Sequence, residues 1–404
     1  MGEVVKGNAV VGQSGGPTAV INQSLVGVIE AARKHRAIPK LLGAHHGVRG
    51  IINEDFFDLK KYTKTQLEKI AATPAAALGS TRDKPDAAYC EKIFTAFSKH
   101  DVRYFFYIGG NDSADTARIV SELATKADYP LRVFHVPKTI DNDLRVTDHT
   151  PGYGSAARFV ASAFMGEDRD NASLPGIKIS VVMGRNAGWL TAASALARQD
   201  KTDGPHLIYL PEVAFSLKKF AQDVEKVYDK LGRCLIAVSE GIANAKGTPI
   251  AVELAEELGK EVERDSHGNV QLSGTGALGD FLSQYVKENV YGGEKKLRVR
   301  ADTYGYLQRS FAGYASPVDQ AEARQAGRKA VEFAMAGHTS GSVAFKRAKG
   351  AYKIDYVRAE LRDVARETKD LPRSFINRAG NDVTKAFINY ALPLAGGLPT
   401  LGKL

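Results

Sequence analysis

Two short apolar runs, residues 104–108 and 133–136, each break off into a polar loop, and no other feature narrows the possible folds of this chain as far. Apolar runs this short read as buried strands rather than buried helices. The first enters Gly109-Gly110-Asn111-Asp112-Ser113, and the second enters Pro137-Lys138-Thr139-Ile140-Asp141-Asn142-Asp143. After the first loop, Ala117, Val120, Leu123 and Ala124 recur at helical spacing, which predicts a helix over 113–127. The same alternation runs along the chain. A strand at 8–11 leads through a glycine turn into a helix from about 20 to 34, and another helical pattern covers 86–99. Strands are expected at 178–182, 207–210 and 235–239, with a helix between the last two marked by Phe220, Val224, Val227 and Leu231. Regular alternation of this kind implies an α/β protein with largely parallel sheets and helices on both faces.

In open α/β sheets, ligands bind beyond the carboxyl ends of the strands, which is where both loops lie. Paired glycines let the backbone approach a phosphate closely, and the helix that follows offers its N-terminus to negative charge. The second loop crowds Lys138, Asp141 and Asp143 together. These are the parts for moving a phosphoryl group: a cation for the charge in flight, a carboxylate to take the acceptor's proton, and a carboxylate to hold a metal. Each feature has a plainer reading. Glycines make tight turns, Asp112 or Ser113 caps the next helix, and lone acids in loops are usually solvated.

Composition narrows the partners. The chain has 404 residues, enough for two domains, with 44% hydrophobic residues and a formal net charge of +9. Its basic residues are dispersed without aromatic interleaving, which favours small anionic substrates over nucleic acid. Cys90 and Cys234 lack metal-ligand spacing and are expected as core thiols in a reducing compartment. The adjacent pair His45-His46 is read as structural or exposed. No apolar run is long enough to span a membrane and no apolar leader opens the chain, so a soluble, cytoplasmic protein with no membrane partner is expected.

The two loops do not stand alone. In order along the chain come Gly12-Gln13-Ser14-Gly15-Gly16-Pro17-Thr18, Gly79-Ser80-Thr81-Arg82, the two loops, Met183-Gly184-Arg185, Ser239-Glu240-Gly241, and Arg300 through Tyr306 to Arg309. This ordered set resembles the phosphofructokinase family. Asp112 and Lys138, in place of small glycine-type residues, look like its pyrophosphate-using branch. The resemblance implies two Rossmann-like domains with the active site in the cleft between them, and reversible phosphoryl transfer from pyrophosphate to the 1-hydroxyl of fructose 6-phosphate with magnesium. It also implies a homodimer or homotetramer. The first domain is expected at 1–150, rejoined by residues after about 309, the second at 151–308, and an extension of unassigned role at 350–404.

The resemblance carries roles over residue by residue. It makes Asp141 the base, with Lys138 and Asp112 completing the catalytic set, and makes Gly15, Gly16, Arg82 and Gly110 the donor site. Thr139, Met183, Gly184, Arg185, Glu240, Tyr306 and Arg309 bind the sugar phosphate, joined by Arg300 from a neighbouring subunit. Asn111 and Asp143 are the metal positions. Three departures stand out. Asn111 replaces a common metal-binding aspartate, Tyr306 replaces a common histidine, and the second cross-subunit arginine has no match, leaving Lys178 or another cation as the substitute. An ATP-dependent kinase and a non-catalytic phosphosugar-binding subunit stay open as alternatives. A nicotinamide-dependent dehydrogenase fits less well, because Gly12-Gln13-Ser14-Gly15-Gly16 lacks the dinucleotide spacing.

Overall fold

A computed structural model describes residues 5–257, 276–365 and 367–403. The hydrophilic stretch 261–275, which the sequence reads as a loop or short hairpin, lies outside them. Two compact units divide the chain: Met1–Ser155 with Arg309–Lys369, and Ala156–Gln308 with Asp370–Leu404. The final segment is therefore shared. Its first part stays with unit 1 and the rest joins unit 2.

The strands, in chain order, are β1 (Asn8–Gln13), β2 (Leu41–Ala44), β3 (Phe56–Asp58), β4 (Val102–Gly109), β5 (Arg132–Pro137), β6 (Ile177–Val182), β7 (Leu207–Tyr209), β8 (Cys234–Ser239), β9 (Val299–Thr303), β10 (Ser340–Arg347) and β11 (Ile354–Ala359). Unit 1 holds one seven-stranded sheet in the order β11-β10-β5-β4-β1-β2-β3. Its inner pairs are parallel, whereas β3 and β11 run antiparallel at the two edges. The sequence pattern missed β2, β3, β10 and β11. The edge strands β3 and β11 are short or half-exposed and lack the continuous apolar run of a strand buried on both faces, while interior β2 has only four residues and interior β10 begins Ser-Gly-Ser and ends Lys-Arg, leaving too short an apolar run to register.

From β1 the chain winds through β2 to β3 on one side, then crosses to β4 on the other. That reversal leaves a crevice at the carboxyl ends of β1 and β4, the position where open α/β sheets take ligands. Helices cover both faces of the sheet. Ile21–Ala32 and Pro317–Met335 pack one side with Ile21, Leu25, Val28, Ala326 and Ala330. Ala87–Lys99 and Asn111–Lys126 pack the other with Ile93, Phe97, Ala117 and Val120. Asp86 caps the third of these helices, its Oδ1 accepting from Tyr89 N at 2.8 Å. The fourth departs from expectation. Its cap is Gly110, and Asp112 and Ser113 sit inside the first turn, so neither side chain makes the expected cap.

Unit 2 carries a four-stranded parallel sheet in the order β7-β8-β6-β9. Leu217–Leu231 and Ala277–Asn289 pack against it through Phe220, Val224, Leu278, Leu282 and Val286. The first of these helices ends at Gly232, which takes the left-handed conformation that a C-terminal cap requires. Cys90 and Cys234 are buried free thiols in separate cores. Residues 390–397, unassigned from sequence, close the helix Lys385–Ala395, which Gly396 ends in the left-handed conformation.

The two long helices on the first face of unit 1 meet backbone to backbone. A Cβ on Gly27 would lie 2.0 Å from Arg324 O, and one on Gly327 would lie 2.1 Å from Ser24 O. Only glycine fits at either place. Gly27→Ala is therefore expected to force the helices apart and lower stability by about 1–3 kcal/mol, the usual cost of overpacking a tight core. A shift of the urea midpoint to lower concentration checks this; an unchanged midpoint contradicts the close crossing.

Candidate active-site residues of the two units

The parallel register brings three loops of unit 1 to one edge of the sheet. Gln13 stands opposite Ile108, and Gly109 opposite Pro137, so β1, β4 and β5 release their loops side by side. The glycine turn after β1 is tied to the 79–82 turn: Gly15 N donates to Thr81 O at 2.9 Å, and Ser80 Oγ donates to Gly15 O at 2.6 Å. Gly15 has φ +75, a conformation that favours glycine.

Lys138 is the centre of this cluster. It is 3% exposed, and its Nζ donates to Gly16 O at 2.7 Å, joining the loop after β5 to the loop after β1. Side chains leave little spare room around the turn. A Cβ on Gly15 would sit 3.1 Å from Lys138 Nζ, and one on Gly16 would sit 3.0 Å from Arg309 Nη1. Burial pushes the Lys138 ammonium down to about 8. Asp141 and Asp143 hold it up, while the cations Arg309 and Arg82 press it down further. Seven of the residues singled out from sequence thus interact as one group: Gly15, Gly16, Arg82, Lys138, Asp141, Asp143 and Arg309.

The sequence reading gave Arg309 to the sugar phosphate, yet its guanidinium lies at Gly16 in the donor turn, in the same unit as Lys138. The carboxylates are organised by their own loop. Asp141 N donates to Thr139 Oγ1 at 3.0 Å, Thr150 Oγ1 donates to Thr139 O at 2.8 Å, and buried Asn142, with φ 55, accepts from Thr150 N at 3.1 Å. Burial, and then repulsion from Asp141, pushes the Asp143 carboxyl up to about 7. Lys369 was not foreseen. Its backbone N donates to Asp143 O at 2.6 Å, and its Nζ donates to Thr147 O and Asp148 O, both at 2.9 Å, so it clamps this loop from the far end of unit 1. No sequence pattern marks a lone lysine so distant from the motif.

At the mouth of the β4 loop, Asp112 is exposed, and Lys84 Nζ lies 3.3 Å from its Oδ2. Asn111 turns inward, its Oδ1 accepting from Asp112 N at 2.9 Å. Among the described residues, no group of three or more His, Cys, Asp or Glu is disposed to hold a metal ion. Magnesium does not demand one, since it is usually held by one or two carboxylates together with water and phosphate oxygens. His45 pairs with Asp55 at 2.8 Å, and His46 Nδ1 donates to Ser80 O at 3.1 Å, both structural contacts.

In unit 2, Met183-Gly184-Arg185 leaves β6 and Ser239-Glu240-Gly241 leaves the neighbouring β8. The two turns interlock. Gly184 N donates to Glu240 Oε1 at 3.3 Å, Ser239 Oγ donates to Gly184 O at 2.6 Å, and a Cβ on Gly241 would lie 2.0 Å from Arg185 O. Met183 N donates to Gln308 Oε1 at 3.3 Å, which brings residues 300–308 to the same turn. Tyr306 is 47% exposed and Arg300 is exposed on β9. Lys178, one candidate for the missing arginine, pairs with Asp302, and Glu167 lies 3.9 Å away.

The sequence matches the family described as Phosphofructokinase over residues 8–334. It is 58% identical over 400 residues to a pyrophosphate–fructose 6-phosphate 1-phosphotransferase of Rhodospirillum rubrum, covering 99% of this chain and 97% of that one. It is 39% identical to a protein of the same name from Halomonas elongata, with 98% and 96% covered. The crystal structure of a pyrophosphate-dependent phosphofructokinase from Marinobacter aquaeolei superposes with a TM-score of 0.84 at 33% identity, over 98% of this chain and 94% of that one.

The charge on Lys138 sets a pH limit. An ammonium lowered to about 8 is largely charged below that pH and loses its proton above it, so the cluster weakens as an anion site on the alkaline side. Titration of the protein with pyrophosphate as probe anion is expected to show affinity falling above pH 8. Lys138→Arg, whose guanidinium stays charged, is expected to abolish the fall. Lys369 is also lowered to about 8 by burial, so an alkaline fall that survives in Lys138→Arg assigns the limb to Lys369 instead.

Proposed function

The chain belongs to the phosphofructokinase family, and from that premise we propose that it transfers a phosphoryl group from pyrophosphate to the 1-hydroxyl of fructose 6-phosphate, reversibly, giving fructose 1,6-bisphosphate and phosphate. The observation that carries this reading is the buried Lys138 ammonium held on Gly16 O, with Arg82, Arg309, Asp141 and Asp143 around it. A transferring phosphoryl group leaves the protein little covalent work; catalysis comes from placing charge and reactants. Lys138 is already fixed when the donor arrives, so little reorganisation is needed as charge develops.

Asp141 is the proposed base that takes the proton of the sugar hydroxyl. Asp141 and Asp143 repel one another in the loop after β5, the kind of donor set a divalent cation would relieve. Magnesium, when bound, would neutralise charge on the phosphate oxygens. Asp143 is the proposed holder. Asn111, whose carbonyl is turned onto the Asp112 amide, is given the lesser part of setting the helix start. On the sugar side, the interlocked Met183-Gly184-Arg185 and Ser239-Glu240-Gly241 turns of unit 2 are proposed to bind the fructose 6-phosphate with Tyr306, and exposed Arg300 to reach substrate bound by a neighbouring copy; in unit 1, Thr139 is the proposed sugar contact beside Asp141. Arg309, beside the donor turn, is proposed to contact the phosphoryl group in flight rather than the far phosphate of the sugar.

Donor choice falls to Asp112. Its exposed carboxylate at the start of the Asn111–Lys126 helix is proposed to meet the additional phosphate of a longer donor, so that like charges disfavour a nucleotide. Pyrophosphate is short enough to avoid it. Native protein assayed with fructose 6-phosphate is expected to turn over with pyrophosphate and not with ATP; preference for ATP overturns the donor assignment. Asp141→Asn is expected to lower turnover by about 100- to 10,000-fold with substrate binding little changed, the range for loss of a general base. Near-native turnover in a folded Asp141→Asn protein places the base elsewhere.

A further inference from the structure

One buried side chain beneath the donor loops has no part in the reaction just described. His135 lies on β5, fully buried, with Nδ1 2.8 Å from Ser342 Oγ and Nε2 2.8 Å from Gly109 O. The sheet register puts it there. His135 stands opposite Tyr107 on β4 and Ser342 on β10, and its ring reaches along the strand to the carbonyl at the end of β4.

A backbone carbonyl can only accept, so Nε2 carries the proton and donates to Gly109 O, and Nδ1 accepts from the Ser342 hydroxyl. Burial pushes the imidazole down to about 4, which keeps the ring neutral with this proton in place. Lys138 N also donates to Gly109 O, at 2.9 Å. Two donors, one from β5 and one from the loop that follows it, thus converge on one oxygen. In a planar trans peptide the following N–H points away from the carbonyl, so pinning Gly109 O turns the Gly110 N–H away from β5. The pin acts on a joint that would otherwise be loose, since a glycine pair has the widest backbone freedom of any dipeptide. Gly109 cannot be replaced to stiffen it, because a Cβ there would lie 2.0 Å from Ser113 Oγ.

We propose that His135 is a positioning residue for the phosphoryl donor: backed by Ser342 and donating to Gly109 O, it holds the Gly109–Gly110 peptide in the orientation in which the loop receives pyrophosphate. The inference rests on the donor-loop reading above. Its plain rival is a core histidine that merely satisfies its own polar atoms. The two differ in consequence. Loss of a core residue weakens the fold and disturbs both substrates alike, whereas loss of a positioning residue falls on the donor.

Two substitutions separate them. His135→Gln keeps an N–H where Nε2 stands, and His135→Leu keeps the bulk without the donor. KM and kcat would be measured for pyrophosphate and for fructose 6-phosphate, together with amide hydrogen exchange of a peptide covering 108–113 in the protein alone. His135→Leu is expected to raise KM for pyrophosphate about tenfold, the scale of one buried hydrogen bond lost with its partner left unpaired. It should leave KM for fructose 6-phosphate unchanged and speed exchange in 108–113, and His135→Gln should restore all three readings toward native. Equal changes for both substrates, native exchange in His135→Leu, or no recovery in His135→Gln overturns the proposal. Should His135→Leu fail to fold, Ser342→Ala, which unlocks the ring from behind, is expected to give the same pattern in smaller measure, and a native pattern there counts against it. Exchange is read without any substrate. A protein that proved to prefer ATP would defeat the donor reading, yet this inference would still stand or fall on the exchange data and on KM for ATP.

Discussion

Everything at the donor edge of unit 1 depends on one hydrogen bond, from Lys138 Nζ to Gly16 O. Burying an ammonium costs several kcal/mol unless its donors are met and opposite charge is near. Here a carbonyl meets it directly and two carboxylates sit close, while two arginines oppose it. The balance is a cation that stays in place with capacity to spare for an incoming anion. An ammonium free in water would have to be gathered from many rotamers at each turnover; this one is already placed.

The sheet is what makes that bond available. β5, β4 and β1 lie side by side and parallel, so the loops after them leave at one edge, and the chain reversal beside β1 keeps the edge open. The remaining contacts hold those loops still. Ser80 and Thr81 tether the turn after β1, His135 and Lys138 N converge on the end of β4, and Lys369 clamps the loop that carries Asp141 and Asp143. None of these anchors is needed for the chemistry itself. They fix where the reacting groups stand.

Much of this was legible in the sequence, for a physical reason. Strands buried on both faces must be apolar throughout, so β1, β4, β5, β6 and β8 announced themselves, and the polar loops that end them marked the edge at which ligands bind. Edge strands β3 and β11 and the four-residue β2 carry no such signature. The helix cap was misjudged because Asp112 and Ser113 are good capping residues, but Gly110 takes the capping position and moves both into the first turn. Arg309 was assigned by its segment, whose other residues lie in unit 2, and only the tertiary fold shows it beside Gly16. Lys84, Lys369 and Ser342 act across long sequence separations that no local spacing records. His135 alone left a trace: a histidine inside an apolar strand must find partners, and that was the signal available.

The account stands on Lys138 acting in the transfer step rather than in the fold. Single-turnover phosphoryl transfer in a quenched-flow experiment, with native protein and with Lys138→Met at saturating pyrophosphate and fructose 6-phosphate, tests this most directly. Loss of one preorganised charge contact predicts a transfer rate about 100- to 1,000-fold slower in a protein with native thermal stability. A Lys138→Met protein that transfers at the native rate would contradict the account.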